Sequence, residues 1–334
     1  MSELPVTLED IREAAARVRP YARVTPLLAV EGASGSRPLG LKCENLQRSG
    51  AFKIRGAANM IQQLRAEDRE RGVITFSSGN HGIAMSLAAS LAGCPAVVVM
   101  PTSAPAVKVA TARALGAEIL VEGTTTLERK ARAEEEAAAR GLTIVPPFDH
   151  PWIIAGQGTI GLEILEQAPE AAAIYVPTSG GGLLAGIATA VKRLAPHVRV
   201  VGVEPACTPR MTRSLAAGHP VTVPGAAGVA DGLLAVRPGD ITFALIQAYV
   251  DEIVTVEDAA ILEGVTWIFD RARLVAEPSG AASVAAALAR GTTTWSRDGA
   301  SAADLVEGPA VAVISGGNVE TAAFTRYITA PRTS

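Results

Sequence analysis

The sequence predicts an α/β fold of two domains, each built on an open, twisted, parallel-rich sheet flanked by helices. Three observations carry that expectation. Short β-branched apolar runs recur along the chain, each ends at a Gly- or Pro-marked turn, and most of these turns lead into a segment with helical spacing. Such alternation builds βαβ units, whose strands are covered on both faces and therefore read as unbroken apolar runs. With 334 residues, 49% hydrophobic and 19% charged, the chain can bury a large core. At 4% aromatic content, that core must be packed from Ala, Val, Leu and Ile.

Thr7, Leu8, Glu9 and Asp10 read as a capping box ahead of Ile11, Ala14, Ala15 and Val18, an amphipathic helix ending near Pro20. A short strand is expected over 39–43, then a turn and a helix over 57–64. Further strands are expected over 72–76, 96–100, 118–121, 142–145, 173–176, 198–203 and 310–314. Helices are expected over 105–115, 127–140, 161–167, 183–194 and 258–270, with Pro105 suited to a first helical position. So many strands exceed one sheet, and the turn at Pro146 and Pro147 marks a domain crossing.

The net charge of -3 and the scattered arginines leave no basic footprint, which excludes a nucleic-acid partner and favours a small-molecule enzyme. Cys43, Cys94 and Cys207 form neither a disulfide framework nor a zinc knuckle. His81, His150, His197 and His219 share no ligand spacing, so no metal is expected. The first residues lack a basic region followed by an apolar one, and no apolar run is long enough to span a bilayer. A cytoplasmic protein without a membrane partner follows.

Of the 30 Lys plus Arg only Lys42, Lys53, Lys108, Lys130 and Lys192 are lysines. Lys108, Lys130 and Lys192 fall in stretches that read as solvated helices. Lys53, after Phe52 and between glycines 50 and 56, has the setting of a partly desolvated amine able to form a Schiff base. The alternative is a helix-start lysine with its head in water. Parallel sheets seat ligands beyond the carboxyl ends of their strands, and three such turns are unusual. Ser77, Ser78, Gly79, Asn80, His81 and Gly82 can present backbone N–H groups to a carboxylate, or serve as a plain helix cap. Thr178, Ser179, Gly180, Gly181, Gly182 and Leu183 fit a phosphate cradle at a helix start, the alternative being a hinge. Ser315, in Ser315-Gly316-Gly317-Asn318, offers a hydroxyl to a heteroaromatic nitrogen, with Asn318 placed to cap the next helix. A Schiff-base lysine, a phosphate cradle, a carboxylate turn and a serine for a ring nitrogen are together what pyridoxal 5'-phosphate requires. No GxGxxG turn with an acidic residue about 20 positions later occurs, nor a GxSxG elbow, which disfavours a nicotinamide oxidoreductase and an acyl hydrolase, while a non-catalytic metabolite sensor is compatible with every motif.

The stretches 42–57 and 154–159, the turns 77–82, 180–182 and 315–318, and Glu277-Pro278 span nearly the whole chain in family order. On these motifs the chain resembles the fold type II pyridoxal-phosphate enzymes, with a tryptophan synthase beta-subunit-like architecture. Within them it resembles the branch of threonine/serine dehydratases (threonine ammonia-lyases) and serine racemases. The resemblance implies that Lys53 holds the cofactor and Phe52 lies near its ring. It gives the phosphate to Ser179, Gly180, Gly181, Gly182 and Leu183, the ring hydroxyl to Asn80 and the pyridine nitrogen to Ser315. The substrate carboxylate would sit on Ser77, Ser78, Gly79, Asn80 and His81, with Phe148, Asp149, His150 and residues 228–232 at the side-chain end. It also implies a large domain of 1–68 plus 150–334, a small domain of 69–149 closing over the site, and a homodimer. The implied activity is β-elimination from an amino-acid substrate, L-threonine or L-serine with another β-hydroxy amino acid as an alternative, to a 2-oxo acid and ammonia. Lys53 and Ser78 would be catalytic, and Ser78, the serine that racemases carry, keeps serine racemisation open.

Several residues depart from the pattern. Ser179 replaces the first glycine of the cradle, and Ile83 replaces a glutamine, which puts nucleotide activation in doubt. Glu204 matches one side of a divalent-cation site, but Arg210 stands where a carboxylate is usual, leaving Arg210 itself to occupy that space. The chain ends soon after Asn318, so feedback through a C-terminal regulatory domain is not expected.

Overall fold

The computed structural model describes residues 4–31, 38–77, 79–104, 106–288, 291–300 and 308–329. The chain opens with α1 (Leu8–Val18), β1 (Leu27–Val30), β2 (Leu39–Cys43), α2 (Lys53–Gln63) and α3 (Ala66–Arg71). Next come β3 (Val73–Thr75), α4 (Asn80–Ala92), β4 (Ala96–Met100), α5 (Ala106–Ala114), β5 (Glu118–Val121), α6 (Thr126–Arg140) and β6 (Thr143–Ile144). Then follow α7 (Pro151–Gln167), β7 (Ala173–Pro177), α8 (Gly182–Leu194), β8 (Arg199–Pro205), α9 (Arg210–Ala217), α10 (Asp240–Tyr249) and β9 (Glu252–Val256). The chain closes with α11 (Asp258–Ala272), α12 (Pro278–Ala287), β10 (Gly291–Ser296), β11 (Ala310–Ile314) and α13 (Thr321–Thr329).

Two sheets result. The larger runs β1-β2-β11-β7-β8-β9-β10, and the smaller runs β5-β4-β3-β6. Every pairing in the smaller sheet is parallel, and in the larger one only the edge pairs β1 with β2 and β9 with β10 are antiparallel. Side chains alternate between covered faces. Ile174 and Val176 of β7 enter the core under α1, α7, α8 and α10, while Ala173 and Tyr175 enter the one under α11 and α12. In β4, Val98 and Met100 meet α2 and α4, while Val97 and Val99 meet α6. Burying each such side chain stabilises the fold by roughly 1.5–3 kcal/mol. Among the described residues, no helix is long and apolar enough to cross a membrane.

Helix α1 has the capping box expected of it: Asp10 N donates to Thr7 Oγ1 at 3.2 Å and Thr7 N to Asp10 Oδ2 at 2.8 Å. Pro105 lies outside the described residues. The edge strands β1 and β10 and the buried strand β9 went unrecognised, as did α12, whose Ala, Ser and Gly are buried all round and show no polar face. Helix α7 begins at Pro151, ten residues before the expected start, because His150 Nδ1 caps it by accepting from Trp152 N. Its glycines weaken helix propensity but let backbones meet: a Cβ at Gly156 would lie 2.6 Å from Arg55 O, and one at Gly158 2.9 Å from Gly186 O.

Beneath the start of α2 lies a buried ionic network. Arg55 donates to Glu44 at 2.8 and 2.9 Å and to Glu163 at 2.6 and 2.9 Å. Lys42, fully buried, donates to Glu163 at 2.5 Å, Thr25 O at 2.8 Å and Gln167 at 2.9 Å. Burial pushes the Glu44 carboxyl up, but the Arg55 charge and its hydrogen bonds outweigh that and hold it below its ordinary value. Arg55→Ala leaves the buried Glu44 carboxylate without its bonded cation and Glu163 with Lys42 alone, and removing one partner of such a set costs about 3–5 kcal/mol. Thermal denaturation of Arg55→Ala is therefore expected to show a large fall in Tm, whereas Arg65→Ala, which removes the exposed Arg65–Asp68 pair, leaves Tm nearly unchanged.

Candidate active site

The carboxyl ends of β2, β3, β7 and β11 open onto one cavity of about 340 Å³ lined by residues from both sheets. Lys53 and the turns after β3, β7 and β11 all reach it. Register explains why. β11 pairs in parallel with β2, Ile314 opposite Cys43, so Ser315 and Gly316 emerge beside the turn that follows β2. There Phe52 N donates to Ser315 O at 3.0 Å and Ala51 bridges Gly316. Gly50 holds this turn at φ +72°, where a Cβ would lie 2.1 Å from Asn318 Oδ1.

Lys53 is the first residue of α2, and its amine is enclosed. Nζ donates to Pro147 O at 2.6 Å and lies 5.1 Å from the Phe52 ring centroid. Among the described residues no carboxylate pairs with it. Burial therefore lowers its pKa from 10.5 to about 8. Lys42, with no exposed surface, is also lowered by burial, but Glu163 opposes the shift. Of the two, Lys53 is the one with a reactive amine.

The turn after β7 is held, not hinged. The Phe148 ring packs so closely on Gly180 that a Cβ there would meet it at 2.4 Å, and Gly181 adopts φ +103° as the N-cap of α8. Ser179, Gly180, Gly181, Gly182 and Leu183 all line the cavity. Free N–H groups and the helix dipole favour an anion there.

The turn after β3 begins α4. Ser77 and Gly79 to His81 line the cavity, whereas Ser78 lies outside the described residues. Gly79 is the N-cap, and among the described residues no side chain caps the helix, which leaves first-turn N–H groups facing the cavity side of the turn without a side-chain acceptor. Ser77 Oγ accepts from Gly79 N at 3.3 Å. His81 is buried, its Nε2 3.0 Å from Val145 O, and burial followed by the Lys53 charge lowers its pKa to about 3. It is a neutral imidazole at ordinary pH. Asn80 Nδ2 donates to Glu277 Oε1 at 2.6 Å, while Asn80 Oδ1 accepts from Asn318 Nδ2 at 2.8 Å. Asn318 also donates to Ser49 O at 2.8 Å, so it ties two turns of the site together instead of capping the helix after it.

Ser315 is buried at the cavity wall, its Oγ 3.5 Å from Ser279 O. Glu277, which carried no role in the sequence reading, lines the same cavity, and burial raises its carboxyl to about 8. A glutamate directly before a helix-opening proline was the only signal for it. Lys108 and Arg129, from α5 and α6, also reach the cavity, so Lys108 is not an ordinary solvated lysine. Phe148 lines the cavity as expected. Asp149 instead accepts from the N–H groups of Asp240, Ile241 and Thr242 at the start of α10, and His150 caps α7. Arg210 is buried beside Glu204, at 3.9 Å. An amine near neutrality, two anion seats and an un-ionised carboxyl in one cavity can move a proton at a carbon next to a bound carboxylate.

Comparison with known proteins agrees with this geometry. The chain is 43% identical over 319 residues to an L-threonine ammonia-lyase of Geobacter sulfurreducens, covering 95% of this chain and 76% of that one. It is 41% identical over 283 residues to a serine racemase of Oryza sativa subsp. indica, covering 84% of this chain and 83% of that one. The solved structure of maize serine racemase superposes with a TM-score of 0.89 at 37% identity, over 96% of each chain. The family model described as pyridoxal-phosphate dependent enzyme matches residues 18–305, and with a match of that extent the chain belongs to this family.

Proposed function

We propose that the chain is a lyase that eliminates water from a β-hydroxy amino acid, L-threonine or L-serine, to give a 2-oxo acid and ammonia. Its cofactor is pyridoxal 5'-phosphate. The observation that carries the proposal is Lys53, a buried amine without a carboxylate partner, in one cavity with a glycine cradle and a helix start. The residues present fit the cofactor. Lys53 supplies the Schiff-base amine and Phe52 an apolar neighbour, residues 179–183 supply N–H groups for the phosphate, and Ser315 supplies a hydroxyl for the ring nitrogen. When bound, the cofactor supplies the electron sink that acidifies the Cα proton and lets the β-hydroxyl leave.

The chain's own residues do the rest. The start of α4, with Ser77, Gly79 and His81, would seat the substrate carboxylate, and Asn80 would hold the ring hydroxyl of the cofactor. Lys53, neutral above about pH 8, takes the Cα proton. Ser315 offers a neutral hydroxyl where a carboxylate would hold a full proton, so charge at Cα is poorly sustained and prompt elimination is favoured. Serine racemisation is the second reading, supported by the racemase relatives and by the serine at position 78. The separate smaller sheet supports a division into 69–149 and a second unit of 1–68 plus 150–334. The family resemblance supports a homodimer and a cytoplasmic location.

Incubating the purified protein with a panel of L- and D-β-hydroxy amino acids, following both keto acid and enantiomer, tests the reading. Keto acid from L-threonine is expected; D-serine accumulating from L-serine without keto acid would establish the racemase instead. Lys53→Ala is expected to lose the visible cofactor band and any borohydride-fixed adduct, and to slow elimination by at least about 100-fold. Cofactor capture by the apoprotein is expected to accelerate with pH through about 8 and then level off, since the amine is neutral above that value. A rise continuing to pH 10 would refute the lowered pKa. Glu277, raised from 4.5 to about 8, contributes stability that is fully present below 4.5 and lost as pH rises through 8. Urea midpoints measured across this window should fall for the wild type relative to Glu277→Gln, which cannot ionise.

A further inference from the structure

We propose that Arg210 is a positioning residue of the phosphate cradle, turning its peptide groups so that their N–H groups face the cavity. Arg210 opens α9 and is fully buried. Its Nε donates to Ser179 O at 3.0 Å, Nη2 donates to Thr178 O, and Nη1 donates to Thr208 O at 2.7 Å and Thr208 Oγ1 at 3.0 Å. In a planar trans peptide, a carbonyl and the N–H of the following residue point in opposite directions. Drawing the carbonyls of 178 and 179 onto the guanidinium therefore turns the N–H groups of Ser179 and Gly180 the other way. The next peptide is set from α10, where Gly180 O accepts from Thr242 Oγ1 at 2.6 Å and from Gly239 N at 3.1 Å. Three successive peptides are thus oriented, and all three residues whose N–H groups are turned line the cavity.

Glu204 completes the device without disarming it. Its carboxylate is already engaged by Met211 N and Thr212 N, each at 2.9 Å, and by Thr212 Oγ1 at 2.7 Å. It balances the guanidinium at 3.9 Å and leaves the donors of Arg210 to the carbonyls. The guanidinium does not line the cavity and acts through the backbone.

This inference rests on the cradle taking the cofactor phosphate. The test is titration of the apoprotein with pyridoxal 5'-phosphate and, separately, with pyridoxal, which lacks the phosphate, following the visible band. Loss of charged hydrogen bonds behind the cradle is expected to weaken the phosphate form about 10- to 100-fold in Arg210→Ala. Pyridoxal affinity is expected to be unchanged. Millimolar guanidinium ion should restore part of the lost affinity in Arg210→Ala, and Arg210→Lys should fall between the two. If Arg210→Ala does not fold, Thr242→Val removes the hydroxyl holding Gly180 O and is expected to show the same selective loss for the phosphate form. Equal weakening of both ligands, or none, overturns the positioning role. A wild type that binds the two ligands alike would instead overturn the cofactor reading, and with it this inference.

Discussion

Two lysines are taken out of water in this molecule, and the difference in their company decides what each can do. Lys42 is locked with Glu163, Gln167 and Thr25 O, in the same network where Arg55 spans Glu44 and Glu163. The carboxylates of Glu44 and Glu163 are consumed there. Lys53, two residues before Arg55, is left with a carbonyl alone. A buried charge with an ion partner is structural, and one without is driven toward neutrality. The network does two things at once. It anchors α2 to β2 and α7, and it keeps counter-ions away from the amine at the helix start.

The site is assembled by parallel pairing over long sequence separations. Because β11 lies between β2 and β7, the turns after all three strands share one end of one sheet. Short polar contacts then fix them to each other: Phe52 to Ser315, Asn318 to Ser49 and Asn80, and Asn80 to Glu277. The smaller sheet adds the start of α4 to this constellation. Rigid elements carry each group, which is how reacting side chains are held to the tolerance chemistry needs.

Much of this was legible before the fold was known, for a physical reason. Inner strands such as β4, β7 and β11 are apolar on both faces, and the ligand turns follow directly at their ends, marked by Gly, Ser and Asn. Lys53 and the turns carrying Asn80, Ser179 to Leu183 and Ser315 were found that way, and all reach one cavity. What stayed hidden depends on partners far away in sequence. Nothing around Glu277 announces a neutral acid, since its burial comes from packing. Asp149 reads as a pocket residue until its carboxylate is seen on the first turn of α10, more than 90 residues on. Edge strands such as β10, with three threonines in a row, lack the apolar signature because one side faces solvent.

The guanidinium of Arg210 stands among main-chain oxygens, in surroundings that would also suit a hard cation. A cation joined covalently to the chain has a local concentration set by geometry, not by the medium. Its presence there needs no uptake from solution, cannot be stripped by a chelator, and leaves those oxygens unavailable to mineral ions. The carbonyls of Thr178, Ser179 and Thr208 are therefore held by a positive charge that is part of the chain itself.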